Sequence, residues 1–341
     1  MPVADGGDGT LEALVDALHG RTIEMEVIGP AGHPVHAAYG LLGDGKTAVV
    51  EMARASGLAL LPPGTNDPRT ATSRGTGELI AAAVASGAKR VIVAIGGSAT
   101  NDAGSGALVA LGARFLDAQG RELSPGGAAL AGLARIETDR LDRRLADVRL
   151  EIASDVRNPL CGLNGASAIY GPQKGASPAD VRELDAALAH FADVAAATTG
   201  ADVRDVPGAG AAGGFGGGFL ALAHAVLRPG AELVLDVLDF ERQLSGADLV
   251  VTGEGRLDKQ TLSGKAPFAV AAAARGRGIP VVAVAGALDA PADELEAIGI
   301  ARAVAASPPG ISEAEAMRRA AELIERAAVE LATLIVRDTQ R

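Results

Sequence analysis

Apolar positions along this chain change period several times, and each change marks an element. Leu11, Leu14, Val15 and Leu18 recur at helical spacing after an acidic glycine turn, Asp5-Gly6-Gly7-Asp8-Gly9-Thr10, and Gly20 ends the run. From residue 21 to 61 the period drops to two. Ile23, Met25 and Val27 alternate, residues 35–42 read as a second strand, and Asp44-Gly45 turns the chain into 46–51, which predicts an antiparallel meander. Pro62-Pro63-Gly64 breaks it. Helical patterns follow at 79–86, 104–111, 180–197, 219–227 and 313–335, the last with Ala320, Ala321, Ile324, Ala327, Ala328, Leu331 and Leu334 on one face. Short apolar runs at 91–95, 150–153, 233–237, 249–251 and 279–285 read as strands, the run at 249–251 as a buried parallel one. Strands alternating with helices predict an α/β fold.

Composition narrows the chemistry. With 341 residues the chain has room for about two domains. Aromatic residues make up only 2% and Trp is absent, so the core is built from Ala, Val, Leu and Ile, and stacking on nucleic-acid bases is not provided for. A net charge of -11 and a pI near 5.0 leave no basic stripe for nucleic acid. An anion must therefore be caught locally, and three of the five lysines, Lys174, Lys259 and Lys265, lie in glycine-containing stretches. A lone Cys161 excludes an internal disulfide framework and suits a reducing cytosol. The chain opens without a basic segment and apolar run, so a cytoplasmic protein without membrane insertion is expected.

Candidate chemistry gathers where apolar runs end. The densest stretch is Thr252-Gly253-Glu254-Gly255-Arg256-Leu257-Asp258-Lys259-Gln260-Thr261-Leu262-Ser263-Gly264-Lys265, read as a loop at a strand's carboxyl end, where open α/β sheets bind ligands. Its glycines permit close backbone approach, Thr252 and Thr261 offer hydroxyls, and Arg256, Lys259 and Lys265 offer charge, a set suited to a polyphosphate. Glu254 and Asp258 suit a metal or a proton. A polar, capped turn explains the same residues without function.

Other stretches share that ambiguity. Asp5 and Asp8 suit a hydroxyl or a magnesium ion, or simply cap a helix. Ser73, Thr76 and Gly77 sit at a helix start that attracts an anion or is merely capped. Gly96-Gly97-Ser98-Ala99-Thr100-Asn101-Asp102 joins a strand to a helix as an anion cradle, and its serine is not in a G-x-S-x-G setting. Asp155 at a strand end, followed by Gly171-Pro172-Gln173-Lys174-Gly175, pairs a base or metal ligand with a phosphate anchor. Gly208-Ala209-Gly210-Ala211-Ala212-Gly213 matches G-x-G-x-x-G and raises a nicotinamide-dependent oxidoreductase. The preceding residues 202–207 are polar and end in proline, so the strand that motif needs is missing.

Seven motifs in order, Ala4-Asp5-Gly6-Gly7-Asp8-Gly9-Thr10, Thr76-Gly77-Glu78, the 96–102 loop, Asp155 with Asn158-Pro159-Leu160, Gly171-Pro172-Gln173-Lys174-Gly175-Ala176, Gly210-Ala211-Ala212-Gly213-Gly214 and Thr252-Gly253-Glu254-Gly255-Arg256, resemble the type I (bacterial) glycerate kinase family. The resemblance implies ATP-dependent, magnesium-assisted phosphorylation of D-glycerate, to 2-phosphoglycerate in the usual case and 3-phosphoglycerate in the alternative. It implies a Rossmann-like three-layer α/β domain built from residues 1–20 plus 246–341, and an inserted mixed α/β domain, 21–245, that holds the antiparallel meander. On this likeness Asp155, Lys174, Asp5, Asp8 and Arg256 are the catalytic candidates. Gly6, Gly7, Ser73, Thr76, Gly77, Gly97, Ser98, Thr100, Asn101, Asp102, Gly213, Gly214, Thr252, Gly253, Gly255 and Lys265 are the binding candidates, and Glu254 and Asp155 the metal ligands. The partner is a small acid, with neither nucleic acid nor membrane, and a homo-oligomer is compatible. Two departures stand out. Asp8 replaces the family's usual Glu, and the strand, Asp-Ser-Phe-Lys type loop and helix with which family members begin are absent. The expectation is therefore a start upstream of Met1, or a shortened chain whose activity is impaired and which survives as a ligand-binding remnant.

Overall fold

Runs of Val, Ile and Ala that are buried on both faces suit central strands, and three such runs build the first sheet. In the computed structural model, which describes residues 1–259 and 265–339, packing divides the chain into Met1–Gly230 and Ala231–Arg341. The first unit contains β1 (Arg21–Ile28), β2 (Pro34–Leu41), β3 (Thr47–Glu51), β4 (Arg90–Ala94), β5 (Arg114–Leu116), β6 (Arg135–Glu137), β7 (Arg149–Ala153) and β8 (Val226–Arg228). Six of these form one sheet in the order β1-β2-β3-β4-β7-β8, while β5 and β6 make a separate antiparallel ribbon. The expected meander is present as β1-β2-β3, and β3, β4, β7 and β8 run parallel. Every residue of β3 is buried.

Buried acids mark where this sheet departs from an apolar run. Glu51 accepts hydrogen bonds from the backbone N–H of Leu11 at 2.9 Å and from Arg54 Nε at 2.5 Å. Glu151, without exposed surface in β7, is held by Arg90, Arg149 and Arg228. The Glu51 bond fastens the helix Thr10–Ala17 onto the sheet, where Leu11 and Leu14 are fully buried and a Cβ at Gly40 of β2 would lie 2.6 Å from Val15. Packing thus places residues 1–20 in the first unit, whereas the sequence reading joined them to the carboxyl-terminal residues.

The second unit holds β9 (Val250–Leu257), β10 (Val281–Leu288) and β11 (Ile300–Ala305), a parallel sheet in the order β11-β10-β9. Residues 233–237, expected as a strand, lie in the helix Gly230–Val237. Its buried Ala231, Val234, Leu235 and Leu238 follow helical spacing, which a five-residue apolar window hides. The strand at 249–251 continues to Leu257, pairing with β10 through Thr252↔Ala283 and Glu254↔Ala285. Polar residues are tolerated because β9 is paired on one side among the described residues. The helix expected at 219–227 ends at Leu222 and follows a non-helical kink at Ala212–Gly214, and the closing helix is two, Glu313–Arg318 and Ala320–Thr339. In the latter Leu323, Ala327 and Leu331 pack with Val282 and Val304, and Ile324 is exposed. Among the described residues no helix is long and apolar enough to cross a membrane.

Candidate active site

Parallel β4 and β7 are neighbours, and the loops leaving their carboxyl ends meet the amino-terminal turn around a cavity of about 340 Å³ within the first unit. Such strand ends are where α/β sheets place ligands. Asp5, Gly6 and Gly7 line it together with Gly96, Gly97, Ser98, Ser154, Asp155, Val156, Tyr170, Gln173, Lys174, Ala211 and Ala212.

The turn reaches β7 because two glycines leave room. Gly6 has φ +88 and a Cβ there would touch that of Ala153 at 2.9 Å; a Cβ at Gly230 would lie 1.8 Å from the Asp5 carbonyl oxygen. The N–H of Gly230 donates to Asp155 Oδ1 at 2.8 Å, so Asp5 and Asp155 flank one glycine. Asp5 Oδ1 also accepts from the N–H of Gly7 at 3.2 Å. Asp8 is exposed and does not line the cavity.

The 96–101 loop is held from behind. Asp102, without exposed surface, accepts from Ser73 N–H at 2.9 Å, Ser73 Oγ at 2.8 Å, Gly104 N–H at 3.0 Å and Gly106 N–H at 3.3 Å. Burial pushes its carboxyl up against the pull of those bonds. Thr76 Oγ1 donates to Ser56 Oγ at 2.8 Å, and Gly77 abuts the backbone of Ala107. Ser73, Thr76, Gly77 and Asp102, read as binding candidates, therefore brace the loop from the interior and are not part of the cavity lining. Asn101 Nδ2 donates to Ser167 Oγ at 3.0 Å, and the Oδ1 of Asn101 and Oγ1 of Thr100 are buried without a protein partner. Gly213 packs where a Cβ would lie 2.1 Å from the Thr100 carbonyl oxygen, and its own carbonyl accepts from Ala103 N–H. Ala212, Gly213 and Gly214 are three successive left-handed residues, and Ala212 lines the cavity.

Lys174 ends a 3-10 turn, Pro172–Lys174, and is 2% exposed. Its Nζ lies 2.8 Å from Ser98 Oγ and 2.7 Å from the Thr100 carbonyl oxygen. Burial pushes the amine down to about 7, with Asp102 pulling the other way. Sequence reasoning missed Asn66, whose Nδ2 donates to the carbonyl oxygens of Lys174 at 2.7 Å and Ala99 at 3.0 Å. It also missed Tyr170, whose hydroxyl donates to Asn158 Oδ1 at 2.6 Å. Asn158 and Gln173 stand inside the motifs; nothing in the sequence singles out Asn66.

Within the second unit, Thr252, Gly253, Glu254, Gly255 and Arg256 line a separate hollow of about 780 Å³ with residues of β10 and the helix Glu313–Arg318. They do so from strand β9 and not from the expected loop. Arg256 pairs with Asp289, which holds its guanidinium above the usual range. Lys265 precedes the helix Ala266–Arg275 and lines neither space, while Thr261 and Gly264 lie outside the described residues. Among the described residues no group of three or more His, Cys, Asp and Glu is poised for a metal. Magnesium characteristically takes one or two carboxylates and completes its shell with water and substrate phosphate, and Asp5 and Asp155 supply that number in one cavity.

The model of the glycerate kinase family matches residues 1–336. A glycerate kinase from Bacillus subtilis (strain 168) is 49% identical over 335 residues, covering 98% of this chain and 88% of the relative. A glycerate 2-kinase from Escherichia coli (strain K12) is 51% identical over 288 residues, covering 84% and 76%. A crystal structure assigned as glycerate kinase 2 from Salmonella typhimurium LT2 superposes with a TM-score of 0.91 at 46% identity, covering 100% of this chain and 89% of that one.

Proposed function

The chain belongs to the glycerate kinase family, and from that premise we propose that it transfers the γ-phosphoryl group of ATP to a hydroxyl of D-glycerate, giving 2-phosphoglycerate. The observation that carries this reading is the first-unit cavity, which joins two carboxylates, side-chain-free Gly96 and Gly97, and a serine hydroxyl backed by a lysine in a space suited to a three-carbon acid. Phosphoryl transfer passes through a loose, anionic transition state, so the protein's task is positioning and charge neutralisation. Asp5 and Asp155 are assigned to hold magnesium, which when bound neutralises and orients the phosphates. Thr252, Gly253, Gly255, Arg256 and Lys265 of the second unit are assigned to the nucleotide, with Glu254 as a further carboxylate in the hollow it shares with Arg256. The E. coli relative's designation as a 2-kinase supports the product.

A coupled assay of ADP release with D-glycerate tests the activity. Phosphorus NMR tests the product, because a phosphate on the secondary C2 oxygen couples to one proton and one on the C3 oxygen to two. A doublet is expected. A triplet overturns the 2-phosphoglycerate reading, and no ADP release overturns the activity.

A further inference from the structure

Ser98 and Lys174 are arranged in a way that neutralising a phosphate does not require. The buried Lys174 Nζ has two polar partners among the described residues, Ser98 Oγ at 2.8 Å and the Thr100 carbonyl oxygen at 2.7 Å. A carbonyl only accepts, so one N–H is committed to Thr100. An ammonium would donate to Ser98 as well and hold a full charge on a side chain only 2% exposed, and burying a charged group is costly. A neutral amine keeps both contacts without a buried charge, donating one N–H to Thr100 and accepting the Ser98 O–H on its lone pair, with one uncharged N–H left over.

The pair is also fixed from behind. The Asn66 amide donates to the carbonyl oxygens of Lys174 and Ala99, tying the two segments together. Gly175 follows at φ +96, where a Cβ would meet the Asn66 carbonyl oxygen at 2.6 Å, so this clasp admits no side chain. Ser98, itself 8% exposed, lines the cavity with Lys174 behind it.

We propose that Ser98 and Lys174 form a proton relay for the phosphoryl transfer, Ser98 Oγ taking the proton of the substrate hydroxyl as it passes its own to Lys174 Nζ. The proposal rests on the kinase reading above. In the step, the substrate oxygen bonds to the γ-phosphorus and the bond from that phosphorus to the bridging oxygen breaks, its electron pair leaving with ADP. The substrate proton is then balanced by one on Lys174, which returns to solvent when product departs. The buried Asp102 acts on Lys174 electrostatically, and Asp5, Asp155 and Tyr170 are the other titratable groups on the same cavity lining. Lys174 is the one basic side chain among the described lining residues.

The pH dependence of turnover separates a relay from a fixed cation. A relay needs the neutral amine, so turnover falls as pH drops through about 7; a cation needs the ammonium, so turnover falls as pH rises through about 7. Ser98→Ala should lower kcat by about 10²–10⁴ with KM for ATP little changed, and should remove the acid limb. Lys174→Met, which keeps the side chain's bulk, should do the same. If Lys174→Met fails to fold, Ser98→Ala still decides. Parental turnover that falls with rising pH, or a Ser98→Ala enzyme within an order of magnitude of the parent, overturns the relay while leaving the kinase reading in place. A parent that releases no ADP with D-glycerate overturns that reading and the relay with it.

Discussion

The backbone N–H of Gly230 donates to Asp155 Oδ1 at 2.8 Å, and the same glycine leaves no space for a side chain against Asp5. One residue therefore sets the spacing of both cavity carboxylates. Gly230→Ala would bring a Cβ to 1.8 Å from the Asp5 carbonyl oxygen, forcing the amino-terminal turn away from β7. The expected result is a loss of about 1–3 kcal/mol in urea unfolding, the usual range for overpacking, with turnover falling further than that loss of folded protein explains. Turnover proportional to the folded fraction would show that the spacing is unimportant.

Asp155→Asn is the gentler test of the same pair, because an amide oxygen still accepts from Gly230 while the charge is gone. If Asp155 and Asp5 hold magnesium, the concentration for half-maximal rate should rise at least about tenfold, the loss found for groups that merely support metal ligands. Manganese can replace magnesium as a paramagnetic probe, and weaker enhancement of water relaxation should accompany the kinetic shift. Unaltered metal dependence by both measures would remove Asp155 from the metal site.

Ala212 and Gly213 give opposite expectations from adjacent positions. Ala212 holds φ 51, a left-handed conformation that disfavours a side chain by about 1–2 kcal/mol. Ala212→Gly should therefore stabilise the protein, by about 0.5–1 kcal/mol after the extra chain entropy of glycine is subtracted. Gly213→Ala should destabilise it, since its Cβ would lie 2.1 Å from the Thr100 carbonyl oxygen at φ 71. Urea midpoints of the two variants should fall on either side of the parent.

What the sequence could express depended on how local each cause is. The meander and β4 were legible because alternation and unbroken β-branched runs act over a few residues. Residues 233–237 were misread because the helical period becomes visible only when Ala231 and Leu238 are counted. Thr252 to Leu257 looked like a loop for its glycines and charges, yet pairing with β10 makes it strand. At the cavity, Asp5, Asp155, Ser98 and Lys174 were found as motif members. Ser73 and Asp102 were found too, but a motif does not say whether a polar residue faces a ligand or holds another loop. Asn66 carries no signature, since its role comes from meeting Lys174 and Ala99 after folding.

Lys174 also leaves a mark on stability that does not depend on catalysis. Its pKa is about 7 in the native protein and near the ordinary 10.5 once unfolded. Between those values the unfolded chain binds a proton that the native protein does not, so stability rises with pH across this window. Below about 7 both states are protonated and the penalty for burying the ammonium is present in full; above 10.5 both are neutral and it is gone. Lys174→Met removes the group, and subtracting its stability from the parent's cancels the titrations the two proteins share. That difference should climb with a limiting slope of about 1.4 kcal/mol per pH unit within the window, measured by urea unfolding. A difference that stays flat would show that the native amine titrates as it does in water, and would take away the neutral lysine on which the relay depends.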